Sequence, residues 1–156
     1  FEVAADPSRP FKVQFGEAEI TVLGTHFNIN AYTDEKDAKA TLLEGLIQIQ
    51  HKNQSQKLAP GQQARLHSQG MQVVSGANTE EATAWKDGYF VFASTDMETL
   101  LRQAARWYNI DVSFQGPIPP DRFTGKISRN VNLSQFLSIL EYSELYFKME
   151  GRKLIL

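Results

Sequence analysis

Apolar and polar residues alternate in short runs through the first half of the chain, and the period changes near Trp85. Phe11, Val13 and Phe15 alternate with Lys12 and Gln14. Ile20 and Val22 repeat the pattern, and Phe27, Ile29 and Ala31 resume it after Gly24. A period of two puts every second side chain on one face, which predicts half-buried strands. Phe1-Glu2-Val3 also reads as a strand, as do Ala40 to Leu43, Leu46 to Gln50, Ala64 to Leu66 and Met71 to Val74. Polar or Gly/Pro turns separate them: Thr33 to Asp37, Glu44-Gly45, a hairpin loop at Lys52-Asn53-Gln54-Ser55, and Pro60-Gly61. Short strands with turns every ~8–12 residues predict an all-β lobe. Periodicity leaves a sandwich and a solenoid equally open.

Residues 78–87 read as a polar linker, with Thr79 capping a short helix and Trp85 as a packing plug between two lobes. The predicted organisation is an all-β domain over 1–77 and an α/β domain over 88–156. In the second domain Tyr89 to Phe92 is a strand. Thr95 and Glu98 then have capping-box spacing. Met97, Leu100, Leu101, Ala104, Ala105 and Tyr108 form one helical stripe, ended by Asn109. Ile110, Val112 and Phe114 alternate as a strand, and Gly116-Pro117 and Pro119-Pro120 break the chain. The order then repeats. A strand runs from Phe123 to Ile127, and Asn132 caps a helix with Gln135 three residues on. Leu133, Phe136, Leu137 and Leu140 form its stripe. Leu145, Phe147 and Met149 alternate on a strand, and Lys153 to Leu156 make the last one. The predicted class is α+β: a sandwich or solenoid-like lobe, then a βαβ-βαββ lobe with both helices on one sheet face.

Composition narrows the function by exclusion. The net charge of -2 gives no basic surplus for phosphate contacts, so no nucleic acid is expected as partner. It also disfavours a polybasic membrane-surface module. With no cysteine there is no thiol chemistry, no Cys metal site and no disulfide. No stretch reaches the ~18 apolar residues of a membrane span, and no signal peptide opens the chain. The start at Phe1, without Met, reads as an excised piece of a longer protein.

Candidate chemistry is sparse. His26, His51 and His67 lie far apart, without partners at metal-ligand spacing. There is no G-x-S-x-G elbow, P-loop or Rossmann glycine pattern. Glu17 and Glu19, and Glu80 and Glu81, read as solvated surface. The expectation is a protein that is not an enzyme, with no cofactor and no metal. Arg106-Trp107-Tyr108 is the most suggestive cluster: Tyr108 belongs to the stripe, while Trp107 sits beside it. Arg and Trp are favoured at protein interfaces; the plainer reading is a helix end packed on the next strand.

Several segments together resemble FecR-type regulators. Val22-Leu23-Gly24-Thr25-His26-Phe27-Asn28-Ile29-Asn30-Ala31-Tyr32 is similar to the family's VLGTxFNVxAY signature. Leu42-Leu43-Glu44-Gly45 resembles its LLEG turn, and Leu58-Ala59-Pro60-Gly61-Gln62-Gln63-Ala64 its LxPGxQA turn. Trp85 to Phe92 resembles WxxGxxxF, and Arg106-Trp107-Tyr108-Asn109-Ile110 the RWYxV segment of the following domain. The resemblance implies the periplasmic region of an inner-membrane anti-sigma regulator of a Gram-negative bacterium. Its implied partner is the N-terminal signalling domain of an outer-membrane TonB-dependent transporter. An extracytoplasmic-function sigma factor would be held only through an N-terminal segment missing here. The second lobe would have the secretin/TonB short N-terminal fold. Gly24, Gly45 and Gly61 are expected to serve turns with positive φ rather than to bind.

The expected docking site is on the second lobe. Lys153, Leu154, Ile155 and Leu156 are expected to form an open sheet edge, where a partner can add a strand. Arg106 and Trp107 complete the candidate partner-binding set. One alternative is a carbohydrate- or ligand-binding β-module with an accessory lobe, where Phe11, Phe15 and Phe27 read as inward and only Tyr32 is left for a surface. Another is an RNA-binding fold with similar element order, although the basic-aromatic strand signature of that class is missing.

Overall fold

The computed structural model describes residues 1–118, 120–141 and 146–156. The chain divides into two units, Phe1–Thr83 and Ala84–Leu156.

The first unit has nine strands, all but β7 along runs read from the sequence. They are β1 (Glu2–Val3), β2 (Phe11–Phe15), β3 (Ala18–Val22), β4 (Thr25–Asn30), β5 (Ala38–Glu44), β6 (Ile47–His51), β7 (Gln54–Leu58), β8 (Gln62–His67) and β9 (Gly70–Ser75). They form a five-stranded sheet, β1-β4-β5-β8-β9, and a four-stranded sheet, β2-β3-β6-β7. Every pairing is antiparallel. Ile20, Ile49 and Leu58 of one sheet share a single buried cluster with Phe27, Leu42 and Ala64 of the other. Two antiparallel sheets around one core make a sandwich, and the parallel coils of a β-solenoid are absent.

Three details depart from the sequence pattern. β7 was hidden inside the loop read at 52–55 and beyond it, because Gln54-Ser55-Gln56-Lys57 carries no apolar alternation; all four are exposed on a sheet edge. Phe11, expected inward, is 41% exposed on edge strand β2, with its ring 6.1 Å from Phe1. The short helix α1 (Thr79–Thr83) is capped by Asn78, whose Oδ1 accepts from the Glu81 amide at 3.0 Å, and not by Thr79. Gly24, Gly45 and Gly61 all have positive φ, as expected. Gly24 is the most constrained, since a Cβ there would lie 2.5 Å from the Ala5 Cα.

The second unit contains β10 (Tyr89–Asp96), α2 (Met97–Tyr108), β11 (Asp111–Ser113), β12 (Arg122–Ser128), α3 (Leu133–Glu141), β13 (Lys148–Glu150) and β14 (Lys153–Ile155). The βαβ-βαββ order is the one read from the sequence. The single sheet is not: β10 pairs with β12, while β11, β14 and β13 form a separate three-stranded sheet. Both helical stripes meet these strands in one cluster, with Phe90, Phe92, Leu100, Leu101, Phe136, Leu140 and Leu154 buried. A helix of 9 or 12 residues is marginal in water, so burial of the stripe is what holds it. Leu145, read as a strand residue, lies outside the described residues.

The caps explain where the helices start. Asn132 and Gln135 form the predicted reciprocal box: Gln135 N donates to Asn132 Oδ1 at 2.9 Å, and Asn132 N donates to Gln135 Oε1 at 3.0 Å. At α2 the predicted Thr95–Glu98 box is corrected. Thr95 is buried in β10 opposite Phe123, and Asp96 is the cap, accepting from Thr99 N at 2.9 Å. Glu98 instead pairs with Arg102 one turn on, at 2.8 Å.

Candidate partner-binding surface

The expected open edge at Lys153–Leu156 is corrected by the sheet order. β14 is the middle strand, parallel to β11 on one side and antiparallel to β13 on the other. Leu154 and Ile155 are buried, because a central strand turns its apolar residues into the core. Leu156 N donates to Ser113 O at 3.0 Å and its carbonyl accepts from Gln115 N, so the pairing continues past the strand. Lys153 is exposed. In this sheet the edges are β11 and β13, and every residue of β13 is exposed.

Arg106 and Trp107 sit on the last turn of α2. One residue is about 100° of helix, so Trp107 leaves the buried stripe just before Tyr108 enters it. Tyr108 packs against the core and donates its hydroxyl to Val131 O at 2.9 Å. Burial pushes its phenol pKa above the usual value of 10.0. Asn109 then closes the helix in the left-handed conformation, with φ 53°, and its carbonyl and side-chain oxygens accept from Arg152. Arg106 is half-buried, and Trp107 remains 48% exposed.

The exposed indole is nevertheless held. Its Nε1 donates to Arg129 O at 3.0 Å, and its ring meets Phe90 edge-on at 6.4 Å. The Arg129 guanidinium lies 4.2 Å from the Phe90 ring centroid and 4.9 Å from that of Trp107. Arg129 Nε also donates to Tyr89 O at 3.1 Å. Across the same strand pair, the Lys126 ammonium lies 4.7 Å over the Tyr89 ring. Trp107 and Arg129 therefore share one surface on the Phe90 side, at the ends of α2 and β12, while Tyr89 and Lys126, which alternate with the inward Phe90 and Ile127, lie on the other face of the β10–β12 pair. The sequence pointed to Trp107 but gave no sign of Arg129, Lys126 or Tyr89. Their only signal is spatial: β10 and β12 are antiparallel, with Tyr89 opposite Ser128 and Val91 opposite Lys126.

Such a surface offers an aromatic face and a cation for binding. Among the described residues no group of three His, Cys, Asp or Glu side chains is placed to hold a metal ion. Asp6 and Glu19, whose carboxyl pKa values are lowered, are surface groups. Hydrogen bonds from Ser8 and Arg9 lower Asp6, and those from Lys12 and Gln14 lower Glu19. No helix among the described residues is long and apolar enough to cross a membrane.

Comparison with known proteins then decides the family. Residues 89–156 match the family model for the FecR C-terminal region, and residues 1–48 match that for the FecR protein. The chain belongs to the FecR family. The C-terminal match begins at the first residue of β10 and takes in the whole aromatic-cationic surface of this FecR chain. Two crystal structures of a candidate anti-sigma factor from Parabacteroides distasonis ATCC 8503 share its fold. The first, at 1.65 Å resolution, has a TM-score of 0.86 and 22% identity, covering 99% of this chain and 74% of that one. The second, at 2.50 Å, has a TM-score of 0.84 and 20% identity, covering 99% and 73%. At that identity the likeness establishes the fold. No curated protein matches this FecR chain by sequence.

Proposed function

We propose that this chain is the periplasmic, signal-receiving region of an inner-membrane anti-sigma regulator. Its second unit receives the signalling domain of an outer-membrane TonB-dependent transporter. The sigma factor is held elsewhere, by a segment N-terminal to these residues. Family membership supports the regulatory role. The observation that carries the docking site is Trp107, half exposed yet fixed by Arg129 and Phe90. A large aromatic held in place loses little side-chain entropy on binding, and Trp and Arg dominate interface energetics.

The test is calorimetry of the 156-residue chain against purified signalling domains of TonB-dependent transporters from the same organism. Saturable binding by one of them is expected, weakened roughly tenfold or more by Trp107→Ala. If no domain binds the folded wild-type chain, the reading fails. If one binds and Trp107→Ala leaves its affinity unchanged, the role survives and the surface does not.

A further inference from the structure

β13 is an outer strand of its sheet, and among the described residues no strand pairs with its far side. The direction of its backbone groups follows from the neighbouring strand. Arg152 O accepts from Asp111 N, and Leu156 bonds Ser113 and Gln115, so these two residues face β11. Alternate residues of a strand face opposite neighbours, so Lys153 and Ile155 bond to β13. Their partners there are Glu150 and Lys148. The amide and carbonyl of Met149 therefore point away from β14, out of the sheet edge.

The side chains make this edge selective. Lys148 and Glu150 share one face, well exposed, with ammonium and carboxylate 2.7 Å apart. Met149 lies on the other face, opposite the buried Leu154, yet is 39% exposed. A lysine on an edge strand ordinarily deters added strands. Here a glutamate follows two residues on, so Lys-Met-Glu is its own complement when reversed. Turned about Met149, Lys148 falls opposite a second Glu150, and Glu150 opposite a second Lys148. Opposite charges directly across two strands attract, and like charges repel. A parallel copy in register would set Lys148 beside Lys148 and is disfavoured by the same rule.

We propose that β13 pairs with β13 of a second copy of this chain, antiparallel, about a two-fold axis between the two Met149 residues. Each Met149 amide donates to the other's carbonyl, and the two exposed thioether side chains cover one another. On the opposite face each Lys148 meets the other copy's Glu150. The result is one continuous sheet of six strands, with the same patch presented by both copies. The strand has only three residues, so the contact is small and the dimer weak in dilute solution. Tethering of both copies to one membrane, as the proposed function implies, raises the local concentration that a weak contact needs. The pairing itself does not rest on that reading.

The test is sedimentation equilibrium of the 156-residue chain at low salt, over concentrations up to about 1 mM. The wild-type chain should show a monomer–dimer equilibrium, and the Met149 amide should gain protection from hydrogen exchange as the dimer fills. Lys148→Glu and Glu150→Lys each place like charges on both sides of the axis, and each should weaken the dimer roughly tenfold or more. The double variant reverses the order of the charges and should associate as wild type does. An equimolar mixture of the two single variants should do so too, because every pair across the axis is again opposite in sign. A wild-type chain that stays monomeric overturns the pairing, even if another protein is found to bind β13. Single variants that dimerise like wild type, or a mixture that fails to associate, overturn it equally.

Discussion

The Trp107 indole and Arg129 hold each other through two separate contacts: Nε1 donates to the Arg129 backbone carbonyl at 3.0 Å, and the guanidinium lies 4.9 Å from the ring centroid. Only the second depends on the Arg129 side chain. Arg129→Ala should therefore loosen the indole without releasing it. A double-mutant cycle on Trp107 and Arg129, read by urea unfolding, should give a coupling of about 0.5–2 kcal/mol, the range for a partly desolvated cation–π pair. Coupling near zero would mean that the stack contributes no rigidity.

Tyr108 offers a pH test of the same helix end. Its pKa is raised in the folded state by burial, so the unfolded chain releases the phenolic proton first as pH rises. The stability linked to this group is fully present below the unfolded value of 10.0 and is lost as pH rises through the folded value. Below pH 10 Tyr108→Phe should be less stable than wild type by about 1 kcal/mol, because Val131 O loses its donor. That difference should narrow above pH 10. Thermal melts of both proteins at pH 9 and 11 would show it, and a difference independent of pH would contradict the assignment.

Asp96 and Glu98 compete as explanations for the start of α2. Asp96 makes the cap, bonding Thr99 through both its amide and its hydroxyl. Asp96→Ala should cost about 1 kcal/mol. Glu98→Gln should cost about 0.5 kcal/mol or less, since a helix-surface pair with Arg102 is weakened and no cap is lost. Chemical denaturation of the two variants ranks them, and the reverse order would restore Thr95 and Glu98 as the capping pair.

Gly24→Ala should destabilise the sandwich by more than about 1 kcal/mol. The position combines φ +146° with a Cβ that would lie 2.5 Å from the Ala5 backbone. Neither problem is relieved by a side-chain rotation. Far-UV circular dichroism during urea titration is the measure; an unchanged midpoint would mean that the backbone around Ala5 yields freely.

What the sequence made legible depended on how local each cause was. Strand alternation at Phe11–Phe15 or Ile47–Ile49 is written in neighbouring residues, as is the Asn132–Gln135 box, and these were readable. β7 was not, because an exposed edge strand of Gln, Ser, Gln and Lys has no buried face to impose a period. The cap of α2 was ambiguous locally: Thr95 and Asp96, two residues in succession, are both favoured N-cap types. It was decided by β10, which buries Thr95. The status of Lys153–Leu156 depended on β11, some forty residues earlier in the chain, and no local pattern reports such a pairing. Arg129 is the extreme case. In Ser128-Arg129-Asn130 it reads as an ordinary turn residue, and its place between two rings exists only once α2 has docked.

The central position of β14 has a consequence for how the second unit assembles. β11 and β13 make no pairing with each other; each reaches the other only across Lys153–Ile155. That strand acts as a keystone. Until it arrives, Asp111–Ser113 has no neighbour in the sheet, and its slanted parallel pairing must close a long intervening segment. The hairpin from β13 to β14 can form early, but its docking on β11 has to wait for both helices to find their places. A chain emerging from synthesis therefore cannot complete this sheet step by step, and removal of the strand would undo it from both sides at once.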